Sequence, residues 1–378
     1  MSVSEQTLRQ ITGQLAASAE AYDRSAEFPR DNFEWLARES LIGLTVAKAY
    51  GGGGAGLSEG LRVLSAVAQG EPSTALILFM TYAYHAAGHD ETCSEHIYDR
   101  LARSAVAGRG LIGGLRVEPE LGTPARGGLP KTTARRTVDG WHVTGAKIYS
   151  TGSTGLDWFV VYAKTDEAQP RVGNFLVSSR ANGITINPAW DHLGMRATVS
   201  HEVVFSDTFI PVDHAIGVRT PQEWSERPPN ATHLLWNALA ISTIYDGVAR
   251  AARDWLRIYL NERIPANLGA PLASLTRVQE KFGEIEALLY ANRVLIETAA
   301  ERADAGKPPS VAEGNSIKFI ATTSSIRAVE IGLELTGNPG LSRRNPLERH
   351  YRDVLCSRIH TPQNDTILTA SGREGLRG

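Results

Sequence analysis

Cysteine is scarce in this sequence: Cys93 and Cys356 are the only two among 378 residues. Two thiols are too few for a disulfide framework or for a thiolate metal site. With 42% apolar residues, the chain can instead build a large hydrophobic core. The sequence therefore predicts a globular protein of a reducing compartment, held together by packing.

An excess of charge of either sign is also missing, because 39 Lys and Arg residues nearly balance 41 Asp and Glu residues. A nucleic-acid or membrane-surface protein would carry a basic field, which this sequence lacks. We therefore expect neither nucleic acid nor membrane as a partner. Small molecules and other subunits are the partners that remain.

Long hydrophobic runs are absent as well. The first residues, MSVSEQTLRQITGQLAASAEAYD, alternate polar and apolar side chains, and no later stretch approaches eighteen consecutive apolar residues. A secretory signal and a spanning helix both need an uninterrupted apolar segment. The sequence thus predicts a soluble, cytoplasmic protein.

Three regions of different periodicity follow one another, which predicts an α+β fold of three domains. Residues 1–111 have helical apolar spacing, as in NFEWLARESLIGL, interrupted by the glycine loop YGGGGAG. Residues 112–225 contain short β-rich runs such as DWFVVYAKT, typical of a small β-barrel or sandwich. Residues 226–378 return to long amphipathic helices with short connections, which predict a helical bundle.

Seven segments in a fixed order carry a family resemblance. They are FPRDNFEWLARESLIGLTVAKAYGGGGAG, RVEPELGTP, GWHVTGAKIYSTGSTGLDWFVVYAKT, GMRATVSHEVVFSDTFIPVDHAIG, IYDGVARAA, ELTGNPG and ERHYRDV. Together they resemble the acyl-CoA dehydrogenase superfamily along nearly the whole chain. The resemblance implies a helical N-terminal domain, a middle β-barrel domain and a C-terminal four-helix bundle. It also implies a flavin between the β domain and the bundle, in a homotetramer whose neighbouring subunits complete the flavin site.

The KIYSTG segment matches the family's flavin edge. Thr151 takes the place of the hydroxyl residue against flavin N5, with Ser150 and Tyr149 beside it. Hydrogen-bond donors are needed there because reduced flavin carries charge near N5 and O4. The alternative is a strand end that leads into a turn, where Ser, Thr and Gly are common.

Other positions match the residues that hold the rest of the cofactor. Glu118 stands in the family's TEP loop, although Val117 replaces the threonine and Thr123-Pro124 replaces the later Ser-Asp. A backbone contact to the flavin survives such changes, whereas the hydroxyl contacts do not.

The places that hold the FAD pyrophosphate and adenine are taken by Arg263, Gln279 and the turn from Gly337 to Gly340. An arginine fork suits phosphate because it forms two charge-assisted hydrogen bonds. The surrounding RIPANLG and Glu334 depart from the family pattern, so FAD is the expected cofactor and FMN the alternative. Arg263 is alternatively a solvated residue at a helix end.

A carboxylate is missing where the family places its catalytic base. Counted from Asp353, His360 and Thr361 fall on the tyrosine and glutamate of the family's YEGT segment. A threonine hydroxyl is far too weakly acidic to act as that base. A subgroup of the family carries its glutamate on an earlier helix, and that place is held here by about Asn237.

KIYSTG together with IHTP resembles the flavin-dependent monooxygenase branch of the superfamily, which is fed by a separate flavin reductase. Its C4a-hydroperoxide needs a hydrogen-bond donor rather than a strong base, and histidine can donate at neutral pH. His360 is the first candidate and His85, in TYAYHAAGHD, the second. Either histidine could instead be structural, His360 as a helix cap and His85 as a core residue.

Three functions are therefore open. The first is a monooxygenase that uses reduced flavin and oxygen on a small substrate. The second is an FAD-dependent acyl-CoA or acyl-carrier-protein dehydrogenase whose base has moved, for example to Asp365 or Asp246. The third is a catalytically inactive family scaffold. The retained YSTG and histidines favour the first over the third.

Overall fold

The computed structural model describes residues 3–88, 93–120, 128–227 and 230–377. Its N-terminal part is helical, as predicted. The helices there are α1 (Glu5–Ser25), α2 (Arg30–Arg38), α3 (Leu57–Gly70), α4 (Pro72–Ala86) and α5 (Glu95–Val106). In α4 nearly every side chain is buried, so this helix is the centre of the N-terminal core.

The glycine loop before α3 needs its glycines. Gly51 has a φ of 85°, in the left-handed region that disfavours residues with a Cβ. A Cβ on Gly52 would lie 2.2 Å from the Val46 carbonyl oxygen, and one on Gly53 would lie 2.6 Å from the Leu44 oxygen. The prediction that only a glycine-tolerant backbone makes this loop is confirmed.

The middle of the chain forms one mixed sheet. Its strands are β1 (Ile112–Leu115), β2 (Thr133–Arg136), β3 (Gly140–Lys147), β4 (Trp158–Thr165), β5 (Val172–Ser178), β6 (Ile184–Asn187), β7 (Glu202–Pro211) and β8 (Ala215–Arg219). The order is β6-β7-β3-β2-β4-β5-β8, and β1 also pairs with β4. The β1–β4 and β2–β4 pairs are parallel, while the other strand pairs are antiparallel.

Helices return after the sheet. They are α6 (Pro221–Glu226), α7 (Ala231–Glu262), α8 (Thr276–Asp304), α9 (Val311–Thr336), α10 (Asn338–Leu341), α11 (Leu347–Leu355) and α12 (Asn364–Gly375), and α7, α8 and α9 are the long ones. The start of α9 is fixed by a capping box between Ser310 and Glu313, and its end by Gly337 with a φ of 61°. Of the described helices, none is long and apolar enough to cross a membrane.

Polar contacts join the N-terminal helices to the C-terminal helices. The Asp304 carboxylate at the end of α8 accepts the backbone N–H groups of Leu57 and Ser58, at 2.7 and 2.9 Å, and so caps α3. Arg352 on α11 makes a two-pronged ion pair with Asp23 on α1, at 2.8 and 2.7 Å. The order of helices, sheet and helical bundle confirms the predicted fold class.

A buried ion pair fixes the end of β3. The Lys147 ammonium lies 2.7 Å from the Glu118 carboxylate, and both side chains are almost fully buried. Glu118 also accepts hydrogen bonds from the Thr132 hydroxyl and from the backbone N–H groups of Lys131 and Thr132. These donors lower the pKa of Glu118 despite its burial, so the carboxylate stays charged.

Replacing Lys147 by methionine should leave the buried Glu118 carboxylate without its counter-ion. We expect Lys147→Met to lower the free energy of unfolding by about 3–5 kcal/mol, because Glu118 loses its buried counter-ion. The control is Lys281→Met, which breaks the half-exposed pair with Glu284 at 2.9 Å and should cost less than about 1 kcal/mol. Urea denaturation measures both, and equal small losses would contradict the structural role of the pair.

Candidate flavin site

A cluster of hydroxyl groups lies on the β-domain side of the site. The Thr151 hydroxyl is 3.1 Å from that of Ser200, which in turn is 2.9 Å from that of Thr198. The Thr198 hydroxyl donates to the Met195 carbonyl oxygen at 2.8 Å. This chain of bonds holds the partly exposed Thr151 hydroxyl in place as a hydrogen-bonding group.

The two neighbours of Thr151 have different environments. Ser150 is fully buried, and its hydroxyl donates to the Lys147 carbonyl oxygen at 3.4 Å. Tyr149 has a φ of 55° and is 55% exposed. Its ring meets those of Trp190 and His192 edge-on, and the latter two rings stack with centroids 3.5 Å apart. An aromatic surface thus adjoins the hydroxyl cluster.

His360 lies in the loop between α11 and α12. Its Nε2 is 2.6 Å from the hydroxyl of Tyr245, a fully buried residue of α7. Burial lowers the pKa of His360 to about 3, with the Lys318 charge as a second cause, so the imidazole is neutral at physiological pH. Burial also raises the pKa of Tyr245 well above 10, so the phenol keeps its proton.

Lys318 on α9 holds the backbone of the His360 loop. Its ammonium donates to the carbonyl oxygens of His360 and Pro362, at 2.7 and 2.5 Å. The side chain is buried, which lowers the pKa of Lys318 to about 8. The backbone on both sides of Thr361 is therefore held by one cation.

The two positions matched in sequence to the family's base meet in this structure. The Asn237 side-chain amide donates to the Thr361 carbonyl oxygen at 3.0 Å. Neither residue has a carboxylate. The structure thus joins, by one hydrogen bond, the two positions that are 124 residues apart in the sequence.

Four carboxylates are buried in the described part of the chain, and fixed donors bind all four. Glu71 accepts the first N–H groups of α4, and Glu118 is paired with Lys147. Asp246 accepts from Arg250 at 2.5 Å and from Asn292 at 3.1 Å, and Asp353 accepts from the Met195 N–H at 2.6 Å. None of them is a free base beside His360.

Asp365, the other alternative base of the sequence analysis, lies at the start of α12. Its side chain is exposed and accepts a hydrogen bond from the Thr366 N–H at 2.8 Å. The structure therefore offers no carboxylate contact to the Asn237–Thr361 pair among the described residues.

Hydrogen bonds between residues 193–195 and α11 join the Thr151 hydroxyl cluster to the helix that precedes the His360 loop. Met195, which accepts from Thr198, donates its N–H to Asp353 on α11. The chain then runs from Asp353 through a 3-10 turn (Cys356–Ile359) to His360. The structure thus couples the Thr151 cluster and the His360 loop without direct contact between them in the contacts it records.

His85 lies at the end of α4, in a separate cavity of about 1040 Å³ that also borders the glycine loop and the start of α7. The residue is 3% exposed, and both ring nitrogens lack a hydrogen-bond partner among the described residues. Burial lowers the pKa of His85 to about 4. A neutral imidazole without partners inside a cavity is a group available to a ligand.

The predicted pyrophosphate and adenine residues lie at the far ends of the bundle helices. Arg263 is the exposed C-cap of α7, and Gln279 on α8 is exposed and donates to the Ala273 carbonyl oxygen at 3.0 Å. Gly337 is exposed between α9 and α10, whereas Gly340 is buried. Their roles in cofactor binding stay predictions. The Thr123-Pro124 segment lies outside the described residues.

Three residues of the site were not found from the sequence: Tyr245, Lys318 and Ser200. Tyr245 stands eight residues after Asn237, a spacing that keeps roughly the same helix face. This spacing was a usable signal for Tyr245. The sequence gives no comparable signal for Lys318, because its contacts are to backbone carbonyls of a distant loop.

Comparison with known proteins now defines the class. The three consecutive regions match the N-terminal, middle and C-terminal domains of acyl-CoA dehydrogenases, over residues 3–103, 117–208 and 231–369. The chain belongs to the acyl-CoA dehydrogenase family. Members of this superfamily are flavin-dependent oxidoreductases, which use FAD or FMN.

One relative and two solved structures illustrate the range of the family. The chain is 30% identical to a putative acyl-CoA dehydrogenase, YdbM, of Bacillus subtilis, covering 95% of this chain and 92% of that protein. It is 26% identical to KijD3, solved with FMN and an amino-keto sugar nucleotide, with a TM-score of 0.82 and coverage of 98% and 92%. The dibenzothiophene monooxygenase TdsC of Paenibacillus sp. A11-2 shares the fold, at 20% identity, a TM-score of 0.79 and coverage of 96% and 95%.

The donor set fits a flavin. A partly exposed hydroxyl backed by two further hydroxyls suits the N5 and O4 edge, and the Tyr149 ring beside it offers an aromatic surface. The carboxylate of Glu118 is bound by Lys147 and Thr132, and the contact of its backbone with a flavin stays a prediction. Its side chain binds Lys147 at the end of β3, from which the chain runs on to Thr151.

The unpartnered His85 should make the protein sensitive to acid. The unfolded chain protonates this histidine below its ordinary pKa of 6.5, whereas the folded protein does so only near 4. Stability is therefore lost as the pH falls from 6.5 towards 4. Relative to wild type, His85→Leu should gain about 2 kcal/mol between pH 7 and pH 5. Urea denaturation at both pH values measures this gain, and a difference that does not change with pH would contradict it.

Proposed function

We propose that this chain is a flavin-dependent monooxygenase of the acyl-CoA dehydrogenase superfamily. Bound reduced flavin would supply the chemistry, activating O₂ for the transfer of one oxygen atom to a small substrate. The observation that carries the proposal is the hydrogen bond between Asn237 and Thr361, the two residues matched to the family's catalytic base. Neither side chain can remove a proton from carbon.

The role of His360 follows from its partner. The Tyr245 phenol is protonated, and the His360 ring is neutral, so the phenol donates its hydrogen to Nε2. A neutral imidazole that accepts at Nε2 carries its own proton on Nδ1. No hydrogen bond to Nδ1 is present in the described ranges. His360 is therefore set as a hydrogen-bond donor at Nδ1, which is what oxygen transfer requires.

Lys318 and Asn237 act as positioning residues for that donor. Their hydrogen bonds hold the backbone of His360, Thr361 and Pro362 from two different helices. Thr151, supported by Ser200, is assigned to the N5 edge of the flavin. A catalytic group held to within a fraction of an ångström keeps its geometry through turnover.

The second candidate is an acyl-CoA dehydrogenase, which the 30% identity to YdbM favours. It would require a base, and the buried carboxylates of the described chain are all bound to fixed donors. Acyl-thioester or another small molecule is the substrate class in either case. A separate flavin reductase is the expected partner of the monooxygenase only.

We also propose the homotetramer that the family resemblance implies. It is consistent with large exposed apolar side chains on the bundle helices, such as Tyr290, Val294 and Ile320. Sedimentation of the flavin-loaded protein tests this assembly, and a monomer at micromolar concentration would exclude it.

His360→Ala tests the donor. We expect product formation to fall by roughly a hundredfold, the scale of a lost positioned acid or base. The reducing equivalents should appear as hydrogen peroxide. Tyr245→Phe should also lose product, because the Nε2 acceptor is no longer paired and the ring is free to turn. Tyr290→Phe, at a tyrosine 61% exposed on α8, is the matched control and should change neither yield.

Flavin reduction measured without oxygen distinguishes the monooxygenase from the dehydrogenase. Rapid bleaching of the flavin by an acyl-CoA in the wild type, unchanged in His360→Ala, would overturn the monooxygenase. Bleaching only by a supplied reductase, with oxygen-dependent product, would support it.

A further inference from the structure

A second cavity, of about 540 Å³, lies where all three domains meet. Its walls come from α1, from the segment His192–Arg196 of the β domain and from the segment Arg343–Arg352 that includes α11. This volume is within the range of small-molecule sites. The cavity borders His192, whose ring lies 6.0 Å from the ring of Tyr149 and thus near the proposed flavin edge.

The walls carry an excess of positive charge. Six arginines line the cavity against three carboxylates, those of Glu20, Asp23 and Glu348. All three carboxylates are already engaged, because Glu20 pairs with Arg24 and both Asp23 and Glu348 pair with Arg352. Arginine stays protonated at any physiological pH, so the remaining positive charge is permanent.

Three of the arginines have no carboxylate partner among the described residues: Arg343, Arg344 and Arg349. Arg343 and Arg344 are exposed, and the recorded side-chain bond of Arg344 is a long one to the Ser342 hydroxyl, at 3.5 Å. The Nε of Arg349 is buried without a hydrogen-bond partner. Three guanidinium groups without a carboxylate ion pair leave positive charge on one wall, which favours an anion in the cavity.

A buried group of the β domain at this cavity also lacks a hydrogen-bond partner among the described residues. The Nδ1 of His192 is buried and has no partner within the described ranges. Unsatisfied buried polar atoms are rare in folded proteins, and here two residues that line one cavity, Arg349 and His192, each carry one. They belong to different domains, so a ligand that satisfied both would also join these domains.

We propose that this cavity binds the phosphate of a phosphorylated ligand, with Arg343, Arg344 and Arg349 as its binding residues. Planar guanidinium forks match the oxygens of a phosphate and bind it with paired hydrogen bonds. The phosphate has two possible sources, the substrate or the flavin mononucleotide itself. The inference concerns binding alone and holds for a monooxygenase and for a dehydrogenase.

The test compares the Arg344→Gln/Arg349→Gln double variant with the wild type by calorimetry, using inorganic pyrophosphate on the flavin-loaded protein. If the substrate supplies the phosphate, pyrophosphate binds the wild type and at least tenfold more weakly the double variant. Arg277→Gln, at an exposed arginine of α8 outside the cavity, should bind pyrophosphate as the wild type does.

If the flavin supplies the phosphate, pyrophosphate does not bind the loaded wild type. FMN should then dissociate at least tenfold faster from the double variant, while riboflavin affinity is the same in both proteins. The proposal is overturned if pyrophosphate binds the two proteins equally, or if it binds neither and FMN release is unchanged. Should the double variant fail to fold, the single variant Arg344→Gln, at an exposed side chain, replaces it with an expected change of about threefold. No readout depends on turnover, so failure here is distinct from failure of the proposed reaction.

Discussion

The hydrogen bond from the Met195 N–H to the Asp353 carboxylate is the contact on which the site depends. On one side of it, Met195 supports the Thr198–Ser200–Thr151 series of hydroxyls. On the other, Asp353 ends the helix from which the His360 loop departs. Burial raises the pKa of Asp353 to about 7, although this N–H favours the charged form. This bond, together with that from Arg352 to the Leu193 carbonyl oxygen, connects the two halves of the site across the domain boundary.

Burial also determines the chemistry of the histidine side. Tyr245 and Lys318 are buried, His360 is half-buried beside them, and burial shifts the pKa of all three towards the neutral form. A neutral imidazole donates one hydrogen and accepts another, which allows the fixed tautomer inferred for His360. An exposed histidine would exchange between its tautomers and lose this definition.

Much of the fold could be predicted from the sequence, because periodicity and local chemistry specify it. The run YGGGGAG predicted a loop that requires glycine. In the structure, backbone carbonyl oxygens occupy the space that a Cβ on Gly52 or Gly53 would need. The missing carboxylate at Thr361 and Asn237 was also visible in the sequence. The contacts of the neighbouring His360 were not, because Tyr245 and Lys318 reach it across 115 and 42 positions of the chain. Periodicity places a residue on a helix face but does not identify what packs against that face.

The meeting of Asn237 with Thr361 bears on how such a scaffold diversifies. These two residues are far apart in the gene but adjacent in the protein. A single codon change at either position would therefore place an acid in the same small volume. The surrounding anchors, Lys318 and Tyr245, would not need to move. The reaction type can therefore drift independently of the architecture, and proteins with nearly superimposable backbones can belong to different reaction classes.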